Sequence, residues 1–153
     1  MIVSSFRIVK TKRASTAFDG EGARLYGARW NSLGTAMVYT SEHASLAQLE
    51  MLVHIDKSLL LNSYSLIEAE FDDKYVETLD VSLLPKNWND YPAPAELQQL
   101  GDLWTSQKRS VVLGVPSVTL NTEVNFLINP NHPDFSDITI LTPIRIKLDS
   151  RLK

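Results

Sequence analysis

An arginine, a tyrosine and a glutamate follow one another in the first third of the chain: Arg29, Tyr39 and Glu50. The planar guanidinium of an arginine binds two phosphate oxygens at once and keeps its charge. A tyrosine ring stacks on flat heterocycles. A carboxylate held in a pocket stabilises an oxocarbenium-like centre or accepts a hydrogen bond from a ribose hydroxyl. Together these types suit a substrate with a phosphate, an aromatic base and an N-glycosidic bond.

Glu50 is the least expected of the three, because it lies beside an apolar helical stripe. On a helix it falls about 40° from Leu46, at the centre of that stripe. Burying a carboxylate there is costly unless the group has a partner or a chemical task. The structural alternative is a Glu50 that reaches solvent and pairs loosely with His54 or Lys57. Such exposed ion pairs contribute little to stability.

Composition limits the possible functions. The chain has 153 residues, 44% of them hydrophobic, which fits a single domain over residues 1–153. Its formal net charge of −3 argues against a nucleic-acid surface built on bulk charge. With no cysteine there is no disulfide, thiol nucleophile or thiolate metal site. No apolar run approaches the ~20 residues of a membrane span and no signal peptide is evident, so we expect a soluble, cytoplasmic protein without a membrane partner.

Several common site motifs are missing. The chain contains no GxxxxGK[ST] phosphate loop, no GxGxxG after a strand and no HExxH zinc motif. It has three histidines, His43, His54 and His132, in contexts that do not favour a shared metal, so we expect no metal site. Ser117 follows Val-Pro and does not form a GxSxG nucleophile elbow.

The order of predicted elements favours an α+β fold, with strands at both ends and two helices between them. The clearest strand is residues 63–71, where Ile67, Ala69 and Phe71 share one face and Glu68 and Glu70 the other. Residues 10–28, rich in glycine and cations, are expected to form a loop, and the Asn-Pro and His-Pro pairs within residues 129–133 a turn or extended backbone. The other predicted strands are 3–9, 36–40, 74–81, 109–118 and 138–148, the last of which is broken at Pro143. One predicted helix runs from an N-cap at Ser41 to about Ile55, and the other covers residues 95–106.

The order and spacing of several short motifs resemble the RES domain family, the toxin half of RES–Xre toxin–antitoxin modules. The resemblance covers almost the whole chain. One departure is Ala28, where the family often has a second glycine before the arginine. The matching segments are Phe18–Gly22, Gly27–Asn31, Val38–Glu42, Ser45–Glu50 with Val53-His54, Val115–Ser117, Glu123–Pro130 and His132-Pro133.

The resemblance implies a compact ADP-ribosyltransferase-like fold, with a split β-sheet that cradles NAD, and a toxic activity that degrades NAD and releases nicotinamide. Arg29 would hold the diphosphate or the nicotinamide ribose, and Tyr39 would stack on the nicotinamide. Glu50 would stabilise the ribose and its developing positive charge. Ser117 would orient the substrate.

Three further residues are candidates for the NAD pocket: Asn125, Arg13 and Trp30, although a tryptophan more often supplies buried area to a core. NAD would be the substrate, with no separate cofactor. The resemblance also implies an Xre-type antitoxin partner, and a homodimer is plausible.

Three functions remain open from the sequence. The first is an NAD glycohydrolase, or a phosphorylase if phosphate is the acceptor. The second is a mono-ADP-ribosyltransferase that modifies a protein target. The third is a non-catalytic nucleotide-binding or interaction module in which Glu50 has only a structural role.

Overall fold

A single mixed sheet forms the centre of the computed structural model, which describes residues Met1 to Lys153. Its strand order is β4-β5-β6-β2-β1-β3-β7, and β8 also pairs with β3. The strands are β1 Ile2–Lys10, β2 Val38–Ser41, β3 Tyr64–Asp72, β4 Val76–Thr78, β5 Val112–Pro116, β6 Val124–Ile128, β7 Thr139–Ile140 and β8 Ile144–Ile146. The α-helices are α1 Glu21–Tyr26, α2 Ala44–His54 and α3 Ala95–Gln107.

The sheet is split between β1 and β2. β1 pairs with β3 along its full length, from Ile2 to Lys10, but it pairs with β2 only where Phe6 faces Ser41. Beyond that position the two strands exchange no ladder hydrogen bonds. The expected α+β class and split sheet are therefore confirmed.

The half of the sheet made by β2, β5 and β6 has two different faces, because side chains alternate along each strand. Val38 and Phe126 belong to a core on one face, together with Ile67 and Phe71 of β3. Tyr39 and Asn125 lie on the opposite face, since Tyr39 pairs with Leu127 and Ser41 with Asn125. The candidate residues of β2 and β6 thus share one side of the sheet.

The helix that carries Glu50 ends as predicted but begins later. The N-cap prediction for Ser41 is wrong: Ser41 is the last residue of β2, buried and paired with Asn125. The helix starts at Ala44, after an extended His43. Glu42 does not support the first turn, because its carboxylate accepts a hydrogen bond from the backbone N–H of Val124 at 2.7 Å.

α3 confirms the second predicted helix, with Pro94 immediately before its first residue. Its Leu97 and Trp104 are fully buried against Trp30 and the β5–β6 face. Gly101 meets the backbone of Trp30 so closely that an added Cβ would lie 1.7 Å from the Trp30 carbonyl oxygen. A glycine is therefore required where α3 crosses the segment after Arg29.

Two further features differ from the expectations. No strand was predicted over residues 124–128, because the proline pairs that follow dominate the local pattern; these residues form β6, a central strand between β5 and β2. The expected loop over residues 10–28 contains a 3-10 helix at Thr11–Thr16 and the helix α1.

The break at Pro143 is confirmed, since it separates β7 from β8. None of the helices has the length and apolar character needed to cross a bilayer.

Candidate active site

The Glu50 carboxylate is fixed by two side chains that lie far away in sequence. Its Oε1 atom accepts hydrogen bonds from the Ser117 hydroxyl at 2.7 Å and from the Asn125 amide nitrogen at 2.8 Å. No protein group donates to Oε2. His54 is exposed, and neither it nor Lys57 bonds a Glu50 oxygen, so the loose surface pair of the structural alternative does not form. Glu50 is a held carboxylate with one oxygen still available.

Ser117 is set up to donate to Glu50. Its side chain is fully buried just after β5, and its Oγ accepts from the backbone N–H groups of Thr119 and Leu120, both at 3.2 Å. These two donors occupy the acceptor side of the hydroxyl, so its proton points to Glu50. The family resemblance implies that Ser117 orients the substrate; the observed contact orients the glutamate.

Asn125 reaches Glu50 from β6, on the same face as Tyr39. Its amide nitrogen is committed to Glu50, but its Oδ1 atom is buried without a hydrogen-bond partner. A buried carbonyl oxygen without a donor costs roughly 1–3 kcal/mol. A ligand hydroxyl or amide in this place would remove that cost.

The Tyr39 hydroxyl belongs to an internal network. It accepts from the backbone N–H of Trp30 at 3.0 Å and donates to Asn31 Oδ1 at 2.7 Å. Burial raises the pKa of Tyr39, so the phenol stays neutral near pH 7. The hydroxyl therefore holds the segment that follows Arg29, while stacking of the ring on nicotinamide stays a prediction.

The Arg29 side chain is partly buried beside the irregular segment 85–94. Its Nη1 atom donates to the Trp88 carbonyl oxygen at 2.9 Å. Burial lowers the pKa of Arg29, but an arginine remains charged under any physiological condition. Its other guanidinium N–H groups have no protein acceptor and can bind an anion.

The structure adds an arginine that the sequence reasoning did not select. Arg7 of β1 crosses the split in the sheet, and its Nη1 donates to the Tyr39 carbonyl oxygen at 3.0 Å. Its Nε atom is buried without an acceptor, and burial lowers the pKa of Arg7. In the predicted strand 3–9, Arg7 is only one of the polar residues that alternate with apolar ones. Its role becomes visible once β2 is known to be the neighbouring strand.

The side chains of two predicted pocket residues, Trp30 and Arg13, make no hydrogen bond with the other candidates. The Trp30 side chain is only 2% exposed and packs with Met37, Leu97 and Trp104, so a ligand cannot stack on it without rearrangement. Arg13 lies exposed on the 3-10 helix Thr11–Thr16, and its side chain makes no hydrogen bond or ion pair with the other candidates. Trp30 therefore lies in the core, which was the alternative to a pocket position for this residue.

Glu42, His43 and Glu123 present ligand atoms within 4.8 Å of one another at the start of α2. These groups already have protein partners. Glu42 accepts from the Val124 N–H, and the His43 ring is 3.0 Å from the Glu123 carboxylate. That hydrogen bond to Glu123 raises the pKa of His43. Their evident task is to fasten the start of α2 to the end of the β5–β6 connection.

Comparison with known proteins identifies the family of this chain. Residues 5–149 match the RES domain. The chain belongs to the RES domain family. A protein named Toxin Res from Yersinia enterocolitica is 38% identical over 149 residues, covering 97% of this chain and 98% of that protein. The Prs ADP-ribosylating toxin of a Sphingobium species is 39% identical over 144 residues, covering 90% of this chain and 89% of that protein.

The fold of this RES domain also occurs in a solved structure. A chain in the crystal structure of the M. tuberculosis MbcT–MbcA toxin–antitoxin complex superposes with a TM-score of 0.76. The match covers 96% of this RES domain and 85% of that chain, at 15% sequence identity. At this identity the similarity establishes the shared architecture.

Proposed function

We propose that this RES domain is the toxin of a toxin–antitoxin pair, and that it consumes NAD by breaking the bond between nicotinamide and ribose. Its relatives include proteins named Toxin Res and one named an ADP-ribosylating toxin. NAD is the usual donor in ADP-ribosylation. The family and the side chains at the site therefore suggest the same substrate.

The observation that carries the proposal is the held carboxylate of Glu50. Ser117 and Asn125 fix one oxygen, so the negative charge has a set position before substrate arrives. A preorganised charge stabilises the transition state without reorganisation at the moment of reaction. A purely structural glutamate would gain more from using both oxygens, and here Oε2 is free.

The two arginines supply the opposite charge. Arg29 and Arg7 each use one Nη1 hydrogen bond to a carbonyl oxygen and leave other N–H donors free. Neither forms an ion pair with a carboxylate, and both side chains are partly buried, although Asp19 acts on Arg7 and Asp90 on Arg29 through space. A partly buried cation that lacks a directly bonded carboxylate is poorly compensated, and the diphosphate of NAD would supply a direct partner.

The reaction begins with scission of the C1′–N bond, whose electron pair passes to the pyridinium nitrogen and leaves neutral nicotinamide. Positive charge then develops on the ribose C1′ and its ring oxygen, and Glu50 stabilises it. An acceptor oxygen or nitrogen attacks C1′ and loses its proton to solvent. With water the product is ADP-ribose, and with phosphate it is the phosphorylated sugar.

A protein acceptor is the second candidate. It is favoured by the Sphingobium relative, whose name describes ADP-ribosylation and which covers 90% of this chain. The same bond breaks in either case, and only the attacking group differs. A non-catalytic nucleotide-binding module is the remaining alternative.

One experiment separates these functions. Purified protein is incubated with NAD labelled in the adenylate half, with and without phosphate and with cell extract, and nicotinamide, free ADP-ribose and protein-bound label are measured. The proposal predicts nicotinamide release that Glu50→Gln slows about 10²–10³-fold and that the matched control Glu70→Gln retains. Free ADP-ribose identifies a glycohydrolase, and label on protein a transferase. No nicotinamide from the folded wild type contradicts both enzymatic functions.

We also propose an Xre-type antitoxin as the partner that restrains the toxin. The structural neighbour was solved as a toxin–antitoxin complex, and a protein that depletes NAD needs an inhibitor in the cell that makes it. Co-purification of the two proteins, with loss of NAD turnover in the complex, is the expected result. Sedimentation of the isolated chain shows whether it forms the homodimer considered from the sequence.

A further inference from the structure

The segment that presents Arg29 is a tight turn. The backbone N–H of Ala28 donates to the Asn31 carbonyl oxygen at 3.0 Å, and the N–H of Asn31 donates back to Ala28 at 3.4 Å. Arg29 therefore lies in a loop closed by its own backbone. Such a loop fixes the Cα position of Arg29, but by itself it does not fix the orientation of the turn relative to the sheet.

α3 supplies that orientation through Gln98. The side-chain nitrogen of Gln98 donates to both carbonyl oxygens of the turn, those of Ala28 and Asn31, each at 3.0 Å. One amide group thus binds both ends of the loop that contains Arg29. Gln98 uses its donors for this purpose and makes no other side-chain hydrogen bond.

Two more residues of α3 complete the contact, one helical turn further on. Gly101 allows the helix to touch the Trp30 carbonyl group, where any larger residue would clash. Asp102 accepts hydrogen bonds from both the backbone N–H of Ser32, at 3.0 Å, and its hydroxyl. The contacts of α3 thus extend over the whole segment from Ala28 to Ser32.

We propose that α3 is the positioning element for the anion-binding arginine, with Gln98 and Asp102 as positioning residues for Arg29. None of them needs to touch the substrate. They hold the turn so that the Arg29 guanidinium, already bonded to Trp88, points its free N–H donors to one place. The inference rests on the proposed function only for the identity of the anion. A rigid donor pays less conformational entropy on binding, so loosening the turn weakens affinity.

The test compares neighbouring glutamines on α3. Gln98→Met removes both hydrogen bonds with little change in volume, whereas Gln99 is exposed, makes no hydrogen bond and provides the matched control Gln99→Met. We expect Gln98→Met to raise the Kd for NAD roughly tenfold, as the loss of such contacts would. The kcat at saturating NAD should change less than threefold, since Glu50 is untouched. Gln99→Met should match the wild type in both.

A second pair of variants addresses Asp102. Asp102→Ala removes the acceptor for Ser32, and Asp102→Asn restores one acceptor oxygen for the Ser32 N–H. We expect the alanine variant to weaken NAD binding about as much as Gln98→Met, and the asparagine variant to recover most of the affinity. Hydrogen exchange at the amides of residues 28–32 should accelerate in the weakened variants and not in the recovered one.

The results can overturn this inference independently of the proposed function. Unchanged NAD affinity in folded Gln98→Met and Asp102→Ala would overturn it, as would a fall in kcat with an unchanged Kd. If the wild type releases no nicotinamide, the proposed function is wrong, and binding of inorganic diphosphate then decides the role of α3. Weaker diphosphate binding in Gln98→Met supports the inference. Equal binding, or none by the wild type, contradicts it.

Discussion

The glutamate and the arginine of this site are held in opposite ways. Glu50 is fixed by side chains, the Ser117 hydroxyl and the Asn125 amide, which reach it from β5 and β6. Arg29 is fixed through its backbone, by a closed turn that α3 and the Tyr39 hydroxyl hold from outside. Substitutions around Glu50 should therefore affect chemistry with little loss of stability. Substitutions around Arg29 should affect stability and NAD binding together, with a smaller effect on kcat.

The largest effect is expected where α3 meets the turn. In Gly101→Ala the new Cβ would lie 1.7 Å from the Trp30 carbonyl oxygen, so the helix and the turn must separate. We expect a loss of about 3 kcal/mol in the free energy of unfolding, measured by urea titration. The control is Gly22→Ala in α1, where the added methyl group meets nothing within 4 Å, and it should stabilise by about 0.5 kcal/mol. Equal stability of the two variants would refute tight packing at this crossing.

A smaller loss of stability is expected for Tyr39→Phe. Without the hydroxyl, the Trp30 N–H loses its acceptor and Asn31 Oδ1 its donor. Leaving such groups unpaired costs about 2 kcal/mol, which thermal or urea unfolding can detect. If Tyr39→Phe lost NAD turnover at unchanged stability, the hydroxyl would be part of the chemistry and not of the scaffold.

Ser117→Ala should show the opposite pattern. The variant loses the donor to Glu50 and the acceptor for the Thr119 and Leu120 N–H groups, but both of these residues are exposed, so water can replace the lost acceptor. We expect turnover to fall about tenfold, close to the value of one hydrogen bond, with a smaller change in unfolding midpoint. The exposed Ser106→Ala on α3 serves as the control. A stability loss as large as that of Tyr39→Phe would remove the distinction between the surroundings of Glu50 and those of Arg29.

The smallest effect concerns the pair that fastens the start of α2. The hydrogen bond to Glu123 raises the pKa of His43 above 6.5, so the pair stabilises the fold fully below that value. The contribution is lost as the pH rises through the raised pKa of His43. NMR titration should show the His43 pKa falling toward 6.5 in Glu123→Gln and staying raised in Glu70→Gln. An unchanged pKa in Glu123→Gln would show that the pair does not persist in solution.

The elements that could be predicted from sequence are those whose signal is local. Alternation in β3 correctly placed Ile67 and Phe71 in the core, and helical spacing located α2 and α3. The strand β6 was missed because Pro130 and Pro133 dominate its surroundings, although they lie beyond its end. Serine is a favoured N-cap residue, yet Ser41 pairs with a strand on each side, and this pairing determines its conformation.

The sequence identified the residue types of the candidate site but not their connections. A glutamate beside an apolar stripe needs a partner or a chemical task, and the structure gives Glu50 two hydrogen-bond donors. Its partners come from a strand pair that local patterns cannot join to α2. Arg7 was overlooked for the same reason, since it acquires its environment only when β1 and β2 lie side by side across the split. The aromatic ring of Trp30 is of a type that stacks on ligands, but α3 covers it.

The central claim is that Glu50 stabilises charge as the bond to nicotinamide breaks. Its most direct test is Glu50→Gln, because a glutamine oxygen can still accept from Ser117 and Asn125 while the negative charge is lost. With purified protein, kcat should fall about 10²–10³-fold while the Kd for NAD and the unfolding midpoint stay close to wild type. A folded Glu50→Gln that releases nicotinamide at the wild-type rate would contradict the account.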